Sequence, residues 1–302
     1  MNPARETVTV RVPGSTSNCG SGFDTLGLAL NLHNRITLTR TTSDVLRPER
    51  AGDARAGELV QAVVTEFFRE SKAAPFGLSY RIEGDVPPAR GLGSSATIIV
   101  GVLAGLDALA GEGRTRDQLA RVGTAIEGNP ENICAGIFGG FTVSRWASTA
   151  ADYGDTVRIP VSADLAFVVA SPATEMPTKQ SRGVLPATLA FHDAARSVNA
   201  AAFLTAALVT GDFEKLRLVR TDFMHEPYRL PRIPGARESI DRGIAAGALT
   251  GWLSGSGSSV LCVTRPALAT AVAVAMKAAW VQNAVGCTVR VLAADNAGFR
   301  LE

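Results

Sequence analysis

The sequence predicts an α+β fold, and three observations carry that prediction. Several short segments alternate apolar and polar residues with the period of two that a strand requires. Others repeat apolar residues at helical spacing. The two kinds are mixed along the chain without strict strand–helix–strand alternation, which argues against a purely parallel α/β sheet. With 302 residues, 46% of them hydrophobic, the chain can build one large domain or two modest ones.

Thr7 to Pro13 alternates valine with polar side chains and reads as a strand, broken by the small residues of Gly14 to Gly22. Asn34 to Arg40 alternates again and reads as a second strand. Asp44 to Gly57 is polar and arginine-rich, as a surface loop would be. Leu59, Val63 and Phe67 fall at helical spacing and predict a helix over Glu58 to Ser71. Leu78 to Glu83 reads as a strand that feeds a glycine–serine loop. Beyond the loop, the Ala-, Leu- and Val-rich stretch Ala96 to Ala110 predicts a buried helix, and Asp117 to Glu127 another. The small polar stretch Ala147 to Asp155 marks a weak boundary, so the expected division is 1–160 and 161–302. Leu165 to Ser171 is a continuous apolar run, the pattern of a strand covered on both faces. Ala194 to Val209 and Ser239 to Ala246 read as helices. Leu253 and Val260 to Thr264 flank a second glycine–serine loop. Ala267 to Val281 is the most apolar helical stretch, but Lys277 interrupts it, which suits a core helix better than a membrane span.

Composition excludes some functions. With 30 basic and 28 acidic residues the net charge is +2, so nothing global favours nucleic acid or an anionic membrane. The N-terminal residues lack the basic-then-apolar order of a secretory signal. Cys19, Cys134, Cys262 and Cys287 are scattered without a CxxC pair, and the three histidines stand at no ligand spacing with them. Free thiols in a reducing cytoplasm are therefore expected rather than disulfides or zinc.

The chemistry concentrates in the two loops. In Pro88-Ala89-Arg90-Gly91-Leu92-Gly93-Ser94-Ser95-Ala96 the glycines let backbone N–H groups approach a ligand closely. The serines add hydroxyls, and the following helix would aim its positive N-terminus at the loop; together these bind phosphate. No Gly-Lys-Ser/Thr ends the loop, so it is not a Walker A sequence. A plain strand–turn–helix connection has the same spacing. The second loop, Ser254-Gly255-Ser256-Gly257, has the same small-residue chemistry. Two such loops in one chain suggest two pieces of backbone packed against one ligand.

At these residues the chain resembles the GHMP kinases, the family named for galactokinase, homoserine kinase, mevalonate kinase and phosphomevalonate kinase. Pro88 to Ala96 looks like their phosphate-binding motif and the second loop like their third motif. Val12 to Asp24 is similar to the first motif in the form found in homoserine kinases. Glu127-Gly-Asn-Pro-Glu-Asn132, Phe138-Gly-Gly140, Thr178 to Pro186, His225-Glu-Pro-Tyr-Arg229 and Ile233-Pro-Gly235 follow in family order. The resemblance implies a two-lobed fold: an N-terminal mixed sheet with a left-handed βαβ unit, unusual among crossovers, and a ferredoxin-like C-terminal lobe, with ATP and an acceptor in the cleft. It also implies ATP and Mg²⁺ as cofactors and homoserine as acceptor. Relatives often form homodimers, so a homodimer is expected.

A zwitterionic hydroxy amino acid needs a carboxylate for its ammonium and a planar donor for its carboxylate. Asp24 and Glu131 fit the first role, Arg182 and Arg229 the second. The resemblance adds Asn18, Asn129 and Thr178 as hydrogen-bonding neighbours. It assigns Glu127 to Mg²⁺ with a loop serine, either Ser94 or Ser95. Asn132 stands where mevalonate-type relatives place their base, and an amide cannot take a proton at neutral pH. Transfer without a dedicated side-chain base is therefore expected, with Glu127, Asn132, Ser94 and Arg182 as the catalytic set. Homoserine kinases usually read Glu-Gly-His-Pro-Asp-Asn where this chain has Asn129 and Glu131, so the acceptor wall is where it departs.

Overall fold

Strand β1 (Thr7–Ser17) does not stop at the first small residues; it runs on into them as far as Ser17. It pairs antiparallel with the long β2 (Leu26–Thr41), and the register shifts between Pro13 and Ser15. The alternation read from the sequence covers only the outer half of this ribbon. The inner half is buried on both faces, so Ser15, Thr16 and Ser17 are buried and polar and give no alternation to read.

The computed structural model describes residues 6–43, 45–176 and 181–302. After β2 come a short β3 (Leu46–Pro48) and a 3-10 segment, Ala51–Ala56, where the sequence suggested only a loop. Helix α1 (Gly57–Glu70) buries Val60, Val63 and Phe67, the expected stripe apart from Leu59, which is only half-buried. Then follow β4 (Gly77–Gly84), α2 (Ser94–Ala110), α3 (Arg116–Glu127), α4 (Glu131–Phe138) and the hairpin β5 (Phe141–Trp146) and β6 (Tyr153–Ile159). Helix α3 opens with a reciprocal cap in which Thr115 accepts from the Gln118 N–H and Gln118 accepts from the Thr115 N–H.

The remaining elements are β7 (Ala166–Pro172), α5 (Phe191–Thr210), the single turn α6 (Glu226–Arg229), α7 (Ala236–Ala245), β8 (Thr250–Leu253), β9 (Val260–Thr264), α8 (Ala269–Gln282), β10 (Cys287–Leu292) and β11 (Arg300–Leu301). They complete two sheets. The first is mixed, ordered β11-β1-β2-β4-β3, with β5 on the inner end of β2 and β6 beyond it; β3 and β4 are parallel. The second is antiparallel, ordered β10-β7-β9-β8, with helices between β7 and β8 and between β9 and β10. That order is ferredoxin-like, as expected.

Strand β7 is central, and its unbroken apolar run has a physical cause. Ala166, Val168 and Ala170 pack against α7 and α8, while Phe167 and Val169 face the other way. That second face meets Leu26, Leu28, Leu30 and Leu92 from the first sheet and its loop. The lobes thus share an apolar core, which fixes the two glycine–serine loops relative to each other.

Candidate active site

The loop between β4 and α2 meets the loop between β8 and β9. Ser254 donates to the Gly91 carbonyl at 2.6 Å, and the Ser259 N–H donates to the Arg90 carbonyl at 3.1 Å. Gly91 has φ +70°, and a Cβ there would lie 2.0 Å from the Ser254 carbonyl oxygen. Glycine is therefore required twice over, by conformation and by contact. Gly93, also left-handed, is the N-cap of α2, with no side chain capping the first turn. The N–H groups of that turn, at the positive end of a helix of 17 residues, are left for an anion.

Both loops line one cavity of about 460 Å³ that also takes in Asn18, Asp24, Glu127, Asn129, Glu131, Asn132, Arg182 and Arg229. Residues from both lobes, distant in sequence, thus converge on the same space. Pro88 lines this cavity as well, whereas Leu92 turns into the shared core. Ala96 is buried in the first turn of α2 and packs in the first-lobe core. Ser256 lines the cavity through the second loop, and its carbonyl accepts from Ser181.

Glu127 ends α3, half-buried, and its Oε1 accepts from Ser95 Oγ at 2.6 Å. Ser95 rather than Ser94 is thus the serine in contact with the carboxylate. Desolvation pushes Glu127 up to about 6, although the Ser95 bond and the nearby Arg182 pull the other way.

The acceptor end is a charge cluster. Asn18 and Asp24 both have positive φ, 64° and 51°, in the turn between β1 and β2. Asn18 holds that turn: its Oδ1 accepts from the Asp24 N–H at 3.0 Å, and its Nδ2 donates to the Gly255 carbonyl at 3.1 Å. Asp24, buried, takes both prongs of Arg182 at 2.7 and 3.0 Å. The two residues assigned to opposite ends of a zwitterion are therefore partners of each other in this structure. Glu131, buried at the start of α4, accepts from Asn132 Nδ2 at 3.2 Å. The Asn129 amide fits between its neighbours, with nitrogen toward both Glu131 oxygens at 3.0 Å and oxygen toward Arg182 at 2.9 Å. Burial raises Glu131 well above the usual carboxylate range, and Asp24 adds to the rise.

Arg229 differs from Arg182. It is buried, and its partners are neutral: the carbonyls of Ser181 and Gly255 at 3.2 and 3.3 Å, and His225 Nδ1 at 3.5 Å. Among the described residues no carboxylate pairs with it. Burial, then repulsion from Arg182, lowers its pKa to about 10.

Arg90, expected among the nucleotide contacts, lines the cavity and also holds the loop in place. It donates to the carbonyls of Pro172 and Ala173 at 2.8 and 2.6 Å, tying the loop to the end of β7. Thr178 lies outside the described residues. The sequence reading missed Ser15, which donates to Asn132 Oδ1 at 2.9 Å, and Ser17, which accepts from Asn132 Nδ2 at 2.9 Å. It also gave no role to Asp222, whose carboxylate accepts from the N–H groups of Met224, His225 and Glu226 and so fixes the chain entering α6. An aspartate four residues before the Glu226-Pro227 pair, able to bond backbone N–H groups a few residues on, was the available signal.

Comparison with known proteins agrees with this geometry. The N-terminal domain of GHMP kinases matches residues 58–140, and their C-terminal domain matches residues 204–282. A homoserine kinase of Moorella thermoacetica is 37% identical over 296 residues, covering 96% of this chain and 98% of that protein. One from Trichormus variabilis is 38% identical over 298 residues, covering 96% and 97%. The crystal structure of a homoserine kinase from Cytophaga hutchinsonii superposes with a TM-score of 0.89 at 25% identity, covering 100% of this chain and 99% of that one. From its sequence motifs, its two sheets and these likenesses alike, the chain belongs to the GHMP kinase family.

Proposed function

We propose that this protein transfers the γ-phosphoryl group of ATP to the side-chain hydroxyl of L-homoserine. The observation that carries the choice of acceptor is Arg229, a buried cation whose hydrogen-bond partners among the described residues are all neutral, in the same cavity as the phosphate loop. A buried charge without a counterion is costly, so the site favours a ligand that brings a carboxylate. A plain sugar would leave that cost in place.

Arg229, with Arg182, would hold the acceptor carboxylate, and Asp24 with Glu131 its ammonium. Binding would then exchange the Asp24–Arg182 pair for two new pairs, one at each end of the zwitterion. The loop N–H groups and the α2 terminus would cradle the ATP phosphates. Mg²⁺ fits the Ser95–Glu127 pair, since it prefers one or two carboxylates and draws its other oxygens from phosphates and water. Bound there, it would neutralise charge on the phosphate oxygens.

The protein's chemical task is alignment. The hydroxyl oxygen bonds to the γ-phosphorus as the bond to the ADP oxygen breaks, and the hydroxyl proton leaves to a phosphoryl oxygen or water. Asn132, clamped by Ser15 and Ser17, would orient the hydroxyl without accepting its proton. The chain divides at 160/161 in this reading, β1–β6 belonging to the first lobe and β7–β10 to the second, while β11 returns to pair with β1.

A second reading keeps the reaction and changes the acceptor. Asn129 and Glu131 together reshape the wall beside Arg182, which suits a longer hydroxy amino acid. ADP release with ATP, Mg²⁺ and a panel of acceptors tests both. The highest kcat/KM on homoserine supports the first reading, on a longer homologue the second, and no ADP release with any carboxylate-bearing acceptor overturns both.

A further inference from the structure

His225 is fully buried, and the chemistry above makes no use of it. It opens α6, the turn that ends in Arg229. Its Nε2 lies 2.8 Å from the Gly20 carbonyl, in the same turn that carries Asp24. A carbonyl oxygen only accepts, so Nε2 carries a proton. The other nitrogen, Nδ1, faces Arg229 NH1 at 3.5 Å. That distance is long for a hydrogen bond, but with the proton on Nε2 the ring turns a lone pair, and not a second cation, toward the guanidinium. The remaining neighbours are Asp222, 3.6 Å from Nε2, and the ring of Phe23, with centroids 5.6 Å apart.

We propose that His225 is a positioning residue for the acceptor carboxylate: it acts through Arg229, and its Nε2–H tautomer turns the Nδ1 lone pair toward that guanidinium. The inference rests on the reading of Arg229 given above. One ring nitrogen is anchored on the first lobe, and the other orients an arginine of the second. The same imidazole therefore ties the turn holding Asp24 to the group that receives the acceptor's other end. Burial also disfavours the imidazolium, which would repel Arg229. Arg229 is thus aimed at the cavity by neutral acceptors and, among the described residues, makes no contact ion pair.

Two substitutions separate this role from a merely structural one. His225→Asn keeps an acceptor oxygen near the Nδ1 position and loses the bond to Gly20. His225→Gln keeps a donor near the Nε2 position and loses the lone pair toward Arg229. The proposal expects His225→Gln to raise the homoserine KM by about tenfold, the scale of weakening one charge-assisted hydrogen bond from a misaimed Arg229 to the acceptor carboxylate, with ATP KM and kcat within about threefold. His225→Asn should rescue much of that loss. With 3-aminopropan-1-ol, which is homoserine without its carboxylate, the Gln variant should match the wild type. The reverse order of the two variants, or an equal loss on the carboxylate-free acceptor, overturns the proposal.

Where either variant fails to fold, the wild type still decides. Nitrogen NMR of the labelled protein, which has three histidines, should show a neutral ring with unprotonated Nδ1 that shifts on adding homoserine and not 3-aminopropan-1-ol. A ring protonated on Nδ1 sinks it. Wild-type protein inactive on homoserine would instead count against the acceptor reading itself.

Discussion

Asp24 and Arg182, 158 residues apart, form a two-pronged ion pair at 2.7 and 3.0 Å inside the cavity that also holds Arg229. Asp24 is buried, whereas the Arg182 side chain is 39% exposed, so the arginine is the partner free to move. In the proposed reaction the acceptor's ammonium replaces Arg182 on Asp24. Asp24→Asn should raise the homoserine KM by about 10- to 100-fold, since hydrogen bonds to charged groups contribute about 1.5–3 kcal/mol. The ATP KM should stay near the wild-type value. Steady-state kinetics with each substrate varied checks this, and an unchanged homoserine KM would remove Asp24 from the acceptor site.

Glu127 carries a pH prediction. Its folded-state value, about 6, lies above the ordinary carboxylate value because of burial. Between those two values the folded chain binds more protons than the unfolded one. This group's contribution to stability therefore declines as pH rises through that window and is level above it. Mg²⁺ must displace the same proton, so apparent Mg²⁺ affinity should fall by about tenfold per pH unit below about 6. Glu127→Gln should weaken Mg²⁺ and flatten that dependence. Mg²⁺ titrations of activity at several pH values measure both, and an unaltered Mg²⁺ profile in the variant would unseat Glu127 as a ligand.

Asn132 sits between Ser15 and Ser17 and has no group that titrates near neutral pH. Asn132→Ala should lower kcat by about 10- to 100-fold through lost alignment, yet leave the acid limb of the pH–rate profile where it was. If that limb disappears in the variant, a base linked to Asn132 is at work and the base-free transfer is wrong.

Gly91 tests the meeting of the loops. A methyl group there would lie 2.0 Å from the Ser254 carbonyl oxygen, on backbone with φ +70°. Gly91→Ala should cost about 1–3 kcal/mol from the backbone conformation alone, and more from the contact. A lowered urea midpoint together with a raised ATP KM is expected; wild-type values for both would show that the loops can separate without consequence.

The sequence by itself determined the order of the chemistry. Glycine-rich spacing, the acid–amide run Glu127 to Asn132 and the arginines at 182 and 229 could be read because each is a local feature: a backbone that needs no Cβ, or a residue type suited to one kind of partner. The helices α1, α2 and α3 were legible for the same reason, since apolar spacing and helix-forming composition are local. The inner halves of β1 and β2 were not. Both their faces are covered, so Ser15, Thr16 and Ser17 lack the alternation that marks a half-buried strand. Only the tertiary structure decided which charges meet. Sequence assigned Asp24 and Arg182 to opposite ends of a ligand, while the fold pairs them; it left Ser94 and Ser95 equivalent, while the fold sets Ser95 on Glu127. It offered two similar arginines, and the fold buried one of them among neutral hydrogen-bond partners while pairing the other with Asp24. Coulomb energy and desolvation depend on distance through space and on exclusion of water. Neither quantity exists along the chain until the two lobes close on their shared core.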